Sequence, residues 1–462
     1  MCIMSKRYII FLLTVLTLSS CKNYLDVQPQ GKVIPKTDEE FAAIIHNRIN
    51  AIEGGEDQFV VGNFDGIILY ESYADNLDAN VKVGNLAAYS GDKINNRQSF
   101  YKSIFSIIRD CNIVIENITD RQTDLAKKTC AAAYAIKGIC YYNLIRDYCE
   151  AYDKEKASTT LGMPIIDKFD MEAMPSRSSL ETTIEYCASL LQKSIDYNIE
   201  DGLFLFTKDI VKTYLAKLYF WKEDWDSTIQ LSEELMKLPN YRLASIAEYP
   251  EMIQAKNAAK QEVIVRSHIN NNSDIDWYYV MVIKDIKSRP VSHNLVKLFE
   301  QDGDNDIRKA LSYDKKRINL KTISAKVRSS ELVLMLAESY YHKGDNENAL
   351  INLNKLRKNR IKDVDNYTMM TLPAINSNNL IVKDATGKPL TPLISAIFDE
   401  RQKEFYMEGD RWFELKRNGS PEFWVINNGL KYTNYEYLYT SPIYKSDVYM
   451  NDNMQQNKGY EE

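Results

Sequence analysis

Two stretches of this chain share one layout, and that layout fixes the kind of fold available to it. Residues 210–238 and 331–360 each carry apolar side chains at helical spacing and each break once, at Lys222-Glu223-Asp224 and at Lys343-Gly344-Asp345. At an offset of 121 residues, Ala216 falls on Ala337, Tyr219 on Tyr340, Asp224 on Asp345 and Ile229 on Leu350. A small residue lets two helices approach, an aromatic residue one turn later fills the space beside it, and a short turn sends the chain back. Repeated helical hairpins bury their apolar stripes only against one another, so helix-on-helix packing is the expected architecture. Three more helices extend it. In 99–118 the apolar positions are Tyr101, Ile104, Phe105, Ile108, Cys111, Ile115 and Ile118. Residues 125–148 are Ala-rich, and 182–195 follow a plausible cap at Ser178 or Ser179.

The two hairpins look like the tetratricopeptide pattern; a plain antiparallel bundle would satisfy the same packing. Other parts read as irregular excursions from this scaffold. Residues 54–96 are rich in Asp, Asn, Gly and Tyr with little helical period. Residues 239–290 combine the Asn270-Asn271-Asn272 run with a strand-like Val263-Ile264-Val265. Residues 363–393 carry Pro373, Pro389 and Pro392, and 432–439 place Tyr435, Tyr437 and Tyr439 on one side of an extended chain. The expected fold is mostly α, with tetratricopeptide-like pairs, long loop excursions and little β structure. Loops on a rigid frame are where binding surfaces concentrate.

The N-terminus reads as an address. Lys6 and Arg7 precede an apolar run from Tyr8 to Leu18, 11 residues, short of the ~20 needed to span a bilayer. Charge followed by a short apolar segment marks a secretory signal. Leu18-Ser19-Ser20-Cys21 resembles a bacterial lipobox, which implies acylation of Cys21, removal of residues 1–20 and anchoring through lipid alone. The formal charge of −6 then becomes −8. An acidic chain without a basic block is no candidate for nucleic-acid binding, and 45% hydrophobic content excludes intrinsic disorder. Cys111, Cys130, Cys140, Cys149 and Cys187 remain, an odd number without a C-x-x-C; four lie in helical apolar patterns and read as small core residues.

Catalytic and metal chemistry find few tools. Glu400, Glu404 and Glu408 share one helix face at spacing four. Paired glycosidase acids approach a sugar from opposite sides, so these read better as structural ion-pair partners of Arg401 and Arg411. Asp302, Asp304 and Asp306 alternate like the start of a calcium loop, but Tyr313 stands where a bidentate Glu is required, and an Asp306–Arg308 turn pair is expected instead. His46, His268, His293 and His342 are scattered, and no metal, serine-hydrolase or phosphate-binding motif occurs. No catalytic residue, metal or cofactor is expected.

The segment Asp399-Glu400-Arg401-Gln402-Lys403-Glu404-Phe405-Tyr406-Met407-Glu408-Gly409-Asp410-Arg411-Trp412-Phe413-Glu414-Leu415-Lys416-Arg417 resembles the E-R-x-x-E-x-x-x-E-G-x-R-x-x-D-L-x-R signature of the SusD/RagB outer-membrane nutrient-binding lipoproteins of Bacteroidetes, with Glu414 in the Asp place. Ala337-Glu338-Ser339 with Asn354-Lys355-Leu356-Arg357, Pro442-Ile443-Tyr444 and the tail Gln456-Asn457-Lys458-Gly459-Tyr460 resemble further family motifs, with Lys458 replacing Pro. The resemblance implies a SusD-like α-helical body in two halves, 21–240 and 241–462, packed as one. It implies a cell-surface, lipid-anchored protein of the outer membrane that binds oligosaccharide, or peptide in some members. Such a protein partners a SusC-like TonB-dependent transporter and performs no chemistry. A surface glycosidase and a protein-only tetratricopeptide adaptor are the rival readings.

Sugar binding asks for aromatic faces beside planar polar side chains. One stretch offering both contains Tyr73, Asp75, Asn76, Asp78, Asn80 and Tyr89; the other contains Asn272, Asp274, Trp277 and Tyr278, with Asp276 and Tyr279 alongside. The competing expectation for each ring is packing against the helices.

Overall fold

A computed structural model of the chain describes residues 35–78, 86–118, 121–170, 172–256, 261–269 and 273–461; the side chains of 93–96 and 273–276 fall outside the description. The helices are α1 (Asp38–Gly54), α2 (Phe64–Tyr73), α3 (Ile94–Asn117), α4 (Asp124–Tyr148), α5 (Leu180–Asp196), α6 (Lys208–Trp221), α7 (Trp225–Leu235), α8 (Tyr249–Gln254), α9 (Ser273–Ile286), α10 (His293–Glu300), α11 (Ile307–Ser312), α12 (Ser329–His342), α13 (Asn346–Lys358), α14 (Pro392–Glu404), α15 (Asp410–Arg417) and α16 (Lys445–Met450). Two antiparallel strand pairs join β1 (Val263–Arg266) to β2 (Lys326–Arg328), and β3 (Phe423–Asn427) to β4 (Leu430–Asn434).

The mostly α reading holds. Helices α3 to α7 stack each against the next, the chain leaves, and α12 returns to pack on α7, so α12–α13 continues the array. In α3, Tyr101, Ile104, Ile108 and Cys111 are buried, while Phe105 and Ile115 lie at the rim. Ser179 caps α5, accepting from Thr182 N. Close approach of α4 and α5 depends on Gly138, where a Cβ would sit 2.7 Å from Leu191 Cδ2. One apolar core runs from Phe41 to Met454, and the five cysteines after Cys21 are buried free thiols.

The aligned hairpins are near copies. Asp224 N donates to Tyr219 O and Asp345 N to Tyr340 O, both at 2.9 Å. Each aspartate then caps the second helix, accepting from Ser227 N and Asn348 N. Ala216 and Ala337 are fully buried.

Two expectations are corrected. Within 54–96 the structure has a helix, α2, which buries Phe64, Ile67, Ile68 and Glu71 at i, i+3, i+4, i+7. Within 239–290, the segment bearing Trp277 is also helical, as α9. The strand-like Val263-Ile264-Val265 is β1, paired with β2 through a bulge.

Candidate functional site

The signature segment forms α14, a turn closed by Gly409 at φ +77°, and α15. The carboxylates of Glu400, Glu404 and Glu408 are spent on cations inside the protein. Glu400 meets Arg308 at 2.7 Å, and Arg357 and Lys403 at 2.8 Å. Glu404 meets Arg328 at 2.6 Å, Arg360 at 2.9 Å and Arg308 at 3.2 Å. Glu408, in the turn after α14, meets Lys321 at 2.7 Å and Arg328 at 2.8 Å. Burial alone would raise the Glu408 pKa, but Arg328, Lys321 and Lys326 outweigh it and hold the carboxyl down at about 2. The expected partners were different ones: Arg401 instead binds Asp410, and Arg411 binds Asp75 and Glu414. The Asp306–Arg308 pair forms as expected, at 2.7 Å, while Asp302 is taken by Arg357 and Lys403 and Asp304 points into solvent toward Lys309. Among the described residues no cluster of three or more His, Cys, Asp or Glu could hold a metal.

The first sugar-reading stretch turns inward for most of its length. Tyr73 is 1% exposed, with its ring 5.4 Å from that of Trp412. Asn76 is fully buried, donating to Glu71 Oε2 and accepting from Gln402 Nε2, both at 2.9 Å. Asp75 is held by Arg411, and Asp78 faces Arg317 at 3.3 Å. These side chains bind the loop to α14, to α15 and to Arg317 beyond α11, so they have little surface to offer a ligand. Asn80 lies outside the described residues, as do Cys21, Asn272 and the side chain of Asp274.

Tyr89 is different. Its half-buried ring stacks on Tyr432 of β4 at 5.0 Å and 25°. Just beyond β4, Tyr435 and Tyr437 stack at 6.1 Å and 14°, 48% and 37% exposed, and Tyr460 meets Tyr437 edge-on at 5.2 Å. Hydrogen bonding between Ser90 and Asn434 pins the two segments together. Tyr439 was expected on the same side. A 3-10 turn over Glu436–Tyr439 rotates it inward instead, where it stacks on Trp412 at 4.3 Å and is 1% exposed. The result is a surface of partly exposed tyrosines drawn from three distant segments. The sequence reading found Tyr89, Tyr435 and Tyr437 but had no signal that would join them.

The second stretch sits on α9. Trp277 is 67% exposed, and Val280 and Met281 extend it into an apolar stripe at i, i+3, i+4. Tyr278 is 39% exposed, lies 5.7 Å from Phe64 and hydrogen-bonds Asp65. Tyr279 packs inward on Phe64 and accepts from Ile323 N. Trp277 and Tyr89 lie on separate elements that share no described ring contact.

Comparison with known proteins agrees with this architecture. A model of the SusD family matches residues 296–460, and one described as starch-binding associating with outer membrane matches residues 23–220. Among solved structures, a SusD superfamily protein from Bacteroides thetaiotaomicron shares 18% identity at a TM-score of 0.69, covering 91% of this chain and 99% of its own. A putative sugar binding protein from Bacteroides vulgatus shares 21% identity at a TM-score of 0.67, covering 93% of this chain and 100% of its own. A laminarin binding SusD-like protein shares 16% identity at a TM-score of 0.59, covering 92% and 99%. No curated protein sequence matches. The two family models tile the chain on either side of the α8–α9 excursion, the solved structures share its fold, and the chain therefore belongs to the SusD/RagB family.

Proposed function

We propose that this protein captures hydroxyl-rich glycan chains on its tyrosine surface and delivers them to a SusC-like TonB-dependent transporter, while a lipid on Cys21 holds it at the outside of the outer membrane. The observation that carries the reading is the pairing of exposed stacked rings, Tyr435 with Tyr437, beside Tyr89 and Tyr432. Ring faces stack on the apolar C–H face of a pyranose, and phenol hydroxyls and neighbouring polar groups take its hydroxyls. SusD-like proteins bind carbohydrate and associate with the outer membrane, which supports the assignment; so does the sugar or laminarin binding for which two structural neighbours are named. The glycosidase reading is weakened by the saturation of Glu400, Glu404 and Glu408, whose carboxylates are buried among guanidinium and ammonium groups. The test is titration calorimetry against a panel of neutral glucans, acidic polysaccharides and peptides. Saturable binding of a neutral glycan without chain shortening supports the reading; shortening of the chains, or binding only of peptides, removes it.

The α9 stripe favours a second role. Val280 and Met281 beside Trp277 make a continuous apolar strip, the texture of a protein contact more than of a sugar platform. Trp277→Ala is expected to weaken recovery of the transporter in detergent pull-downs and to leave glycan affinity within about two-fold. The reverse pattern would return Trp277 to the glycan site.

A further inference from the structure

Beside the tyrosine surface lies a groove of about 1080 Å³, bordered by Lys416 and Arg417 at the end of the signature and by Asn457 and Lys458 of the tail. Small-molecule sites span ~300–1,000 Å³, so this one has room for several sugar units. Its walls are the turn between α6 and α7, residues 150–156, the loop 383–387, the end of α15 and the segment bearing Tyr437. Tyr437 belongs to both the ring surface and the groove, which makes the two continuous. Eight carboxylates and eight basic side chains line it. With the signs balanced, an anionic or a cationic polymer gains nothing overall, and what remains is a dense set of donors and acceptors matched to hydroxyl groups.

Three of the lining groups keep polar atoms that the fold leaves without a partner among the described residues. Glu223 has φ +60°, in the left-handed region, where the equivalent residue of the sister turn is Gly344 at φ +80°. A side chain there costs on the order of 1 kcal/mol, so packing alone favours glycine at this position. Among the described residues nothing hydrogen-bonds the Glu223 carboxyl. Burial, with Glu338 and Asp384 nearby and Arg417 opposing, raises its pKa to about 7. Asp384 is 1% exposed; its Oδ1 accepts from Thr386 and Lys388 N, and its Oδ2 has no partner among the described residues. Arg417 is 6% exposed; it pairs with Glu338 through Nη2 and leaves Nη1 unpaired.

We propose that the groove is a second subsite, which takes the continuing chain of a neutral glycan whose first units lie on the tyrosines, with Glu223 and Asp384 receiving its hydroxyls. This rests on the glycan-binding reading above, and the test separates the two. The probes are neutral glucan oligomers, di- and trisaccharides against chains of about eight units. The wild-type protein is expected to bind the long chains more tightly than the short ones. Glu223→Gly installs the sister turn's residue, so its Tm should not fall. It should bind the long chains about ten-fold more weakly and the short ones unchanged. Asp384→Asn, which keeps the Oδ1 contacts, should show the same selective loss. Wild-type affinity that stops rising beyond trisaccharides, or variants that bind the long chains like wild type, would overturn the subsite while leaving the tyrosine surface standing. If the wild-type protein binds none of the oligomers, both readings fall together.

Discussion

The signature helices and the tyrosine surface are opposites in almost every respect. Around α14 and α15, charges are gathered in the interior and cancel one another: Glu404 alone contacts three guanidinium groups, and the side chains of Glu262, Arg328 and Arg360 are, like its own, wholly inaccessible. Around Tyr89 and Tyr435, uncharged rings are left half in water with their stacking capacity unfinished. The first region carries the residues by which the family is recognised, and its acids Glu400, Glu404 and Glu408 are already taken by buried cations. The second has no motif and holds the surface that suits one. On the proposed reading, the signature acids and the ligand surface are therefore distinct parts of the protein. Conserving the frame while varying the surface is a physical route by which one fold takes many ligands.

The largest test of that separation is Arg360→Ala. It takes one guanidinium partner from each of the buried acids Glu404 and Glu262, leaving Arg328 to serve both, and should cost about 3–5 kcal/mol in urea denaturation. Any Arg360→Ala protein that still folds at low temperature should keep its glycan affinity; a large loss of affinity at unchanged stability would place the network in the binding site. The pH response sharpens the same contrast. Glu408 and Glu338 are held at about 2 in the folded protein against an ordinary value near 4.5. Burial acts against this lowering, and the neighbouring cations overcome it. A carboxyl lowered by folding contributes stability above its unfolded pKa and loses it as pH falls through the folded one. Thermal stability should thus decline steadily between pH 4.5 and 2, and a Tm that holds level over that interval would contradict the network's role. Smaller still are the hairpin caps. Asp224→Ala and Asp345→Ala should each cost about 1 kcal/mol and by similar amounts, because both aspartates accept from the backbone in the same geometry. Clearly unequal costs would show that the two hairpins are less equivalent than their alignment suggests.

The helical frame was legible because its signal is local. Periodicity located α3 to α7 and α12–α13, and the 121-residue offset placed both turns and aligned the two aspartates that the structure shows as caps. Helices α2 and α9 were hidden by polar, Asn-rich flanks, although Phe64, Ile67, Ile68 and Glu71 already had helical spacing. The partners of the signature acids were not legible: Arg308, Arg328, Arg357 and Arg360 lie 43 to 96 residues from the carboxylates they meet, while the nearer Arg401 and Arg411 go elsewhere. Inward rotation of Tyr439 came from a single 3-10 turn. The groove is assembled from widely separated segments, and its one available clue was Glu223 standing where the repeat has Gly344.

The central claim is that exposed tyrosines, and not the signature acids, engage the ligand. Calorimetric titration of a neutral glycan into the wild-type protein and into the Tyr89→Ala/Tyr435→Ala double variant tests it most directly. The account predicts saturable wild-type binding and a loss of roughly 1–3 kcal/mol in the variant, with circular dichroism and Tm unchanged. Equal affinity of the two proteins for that glycan would contradict it.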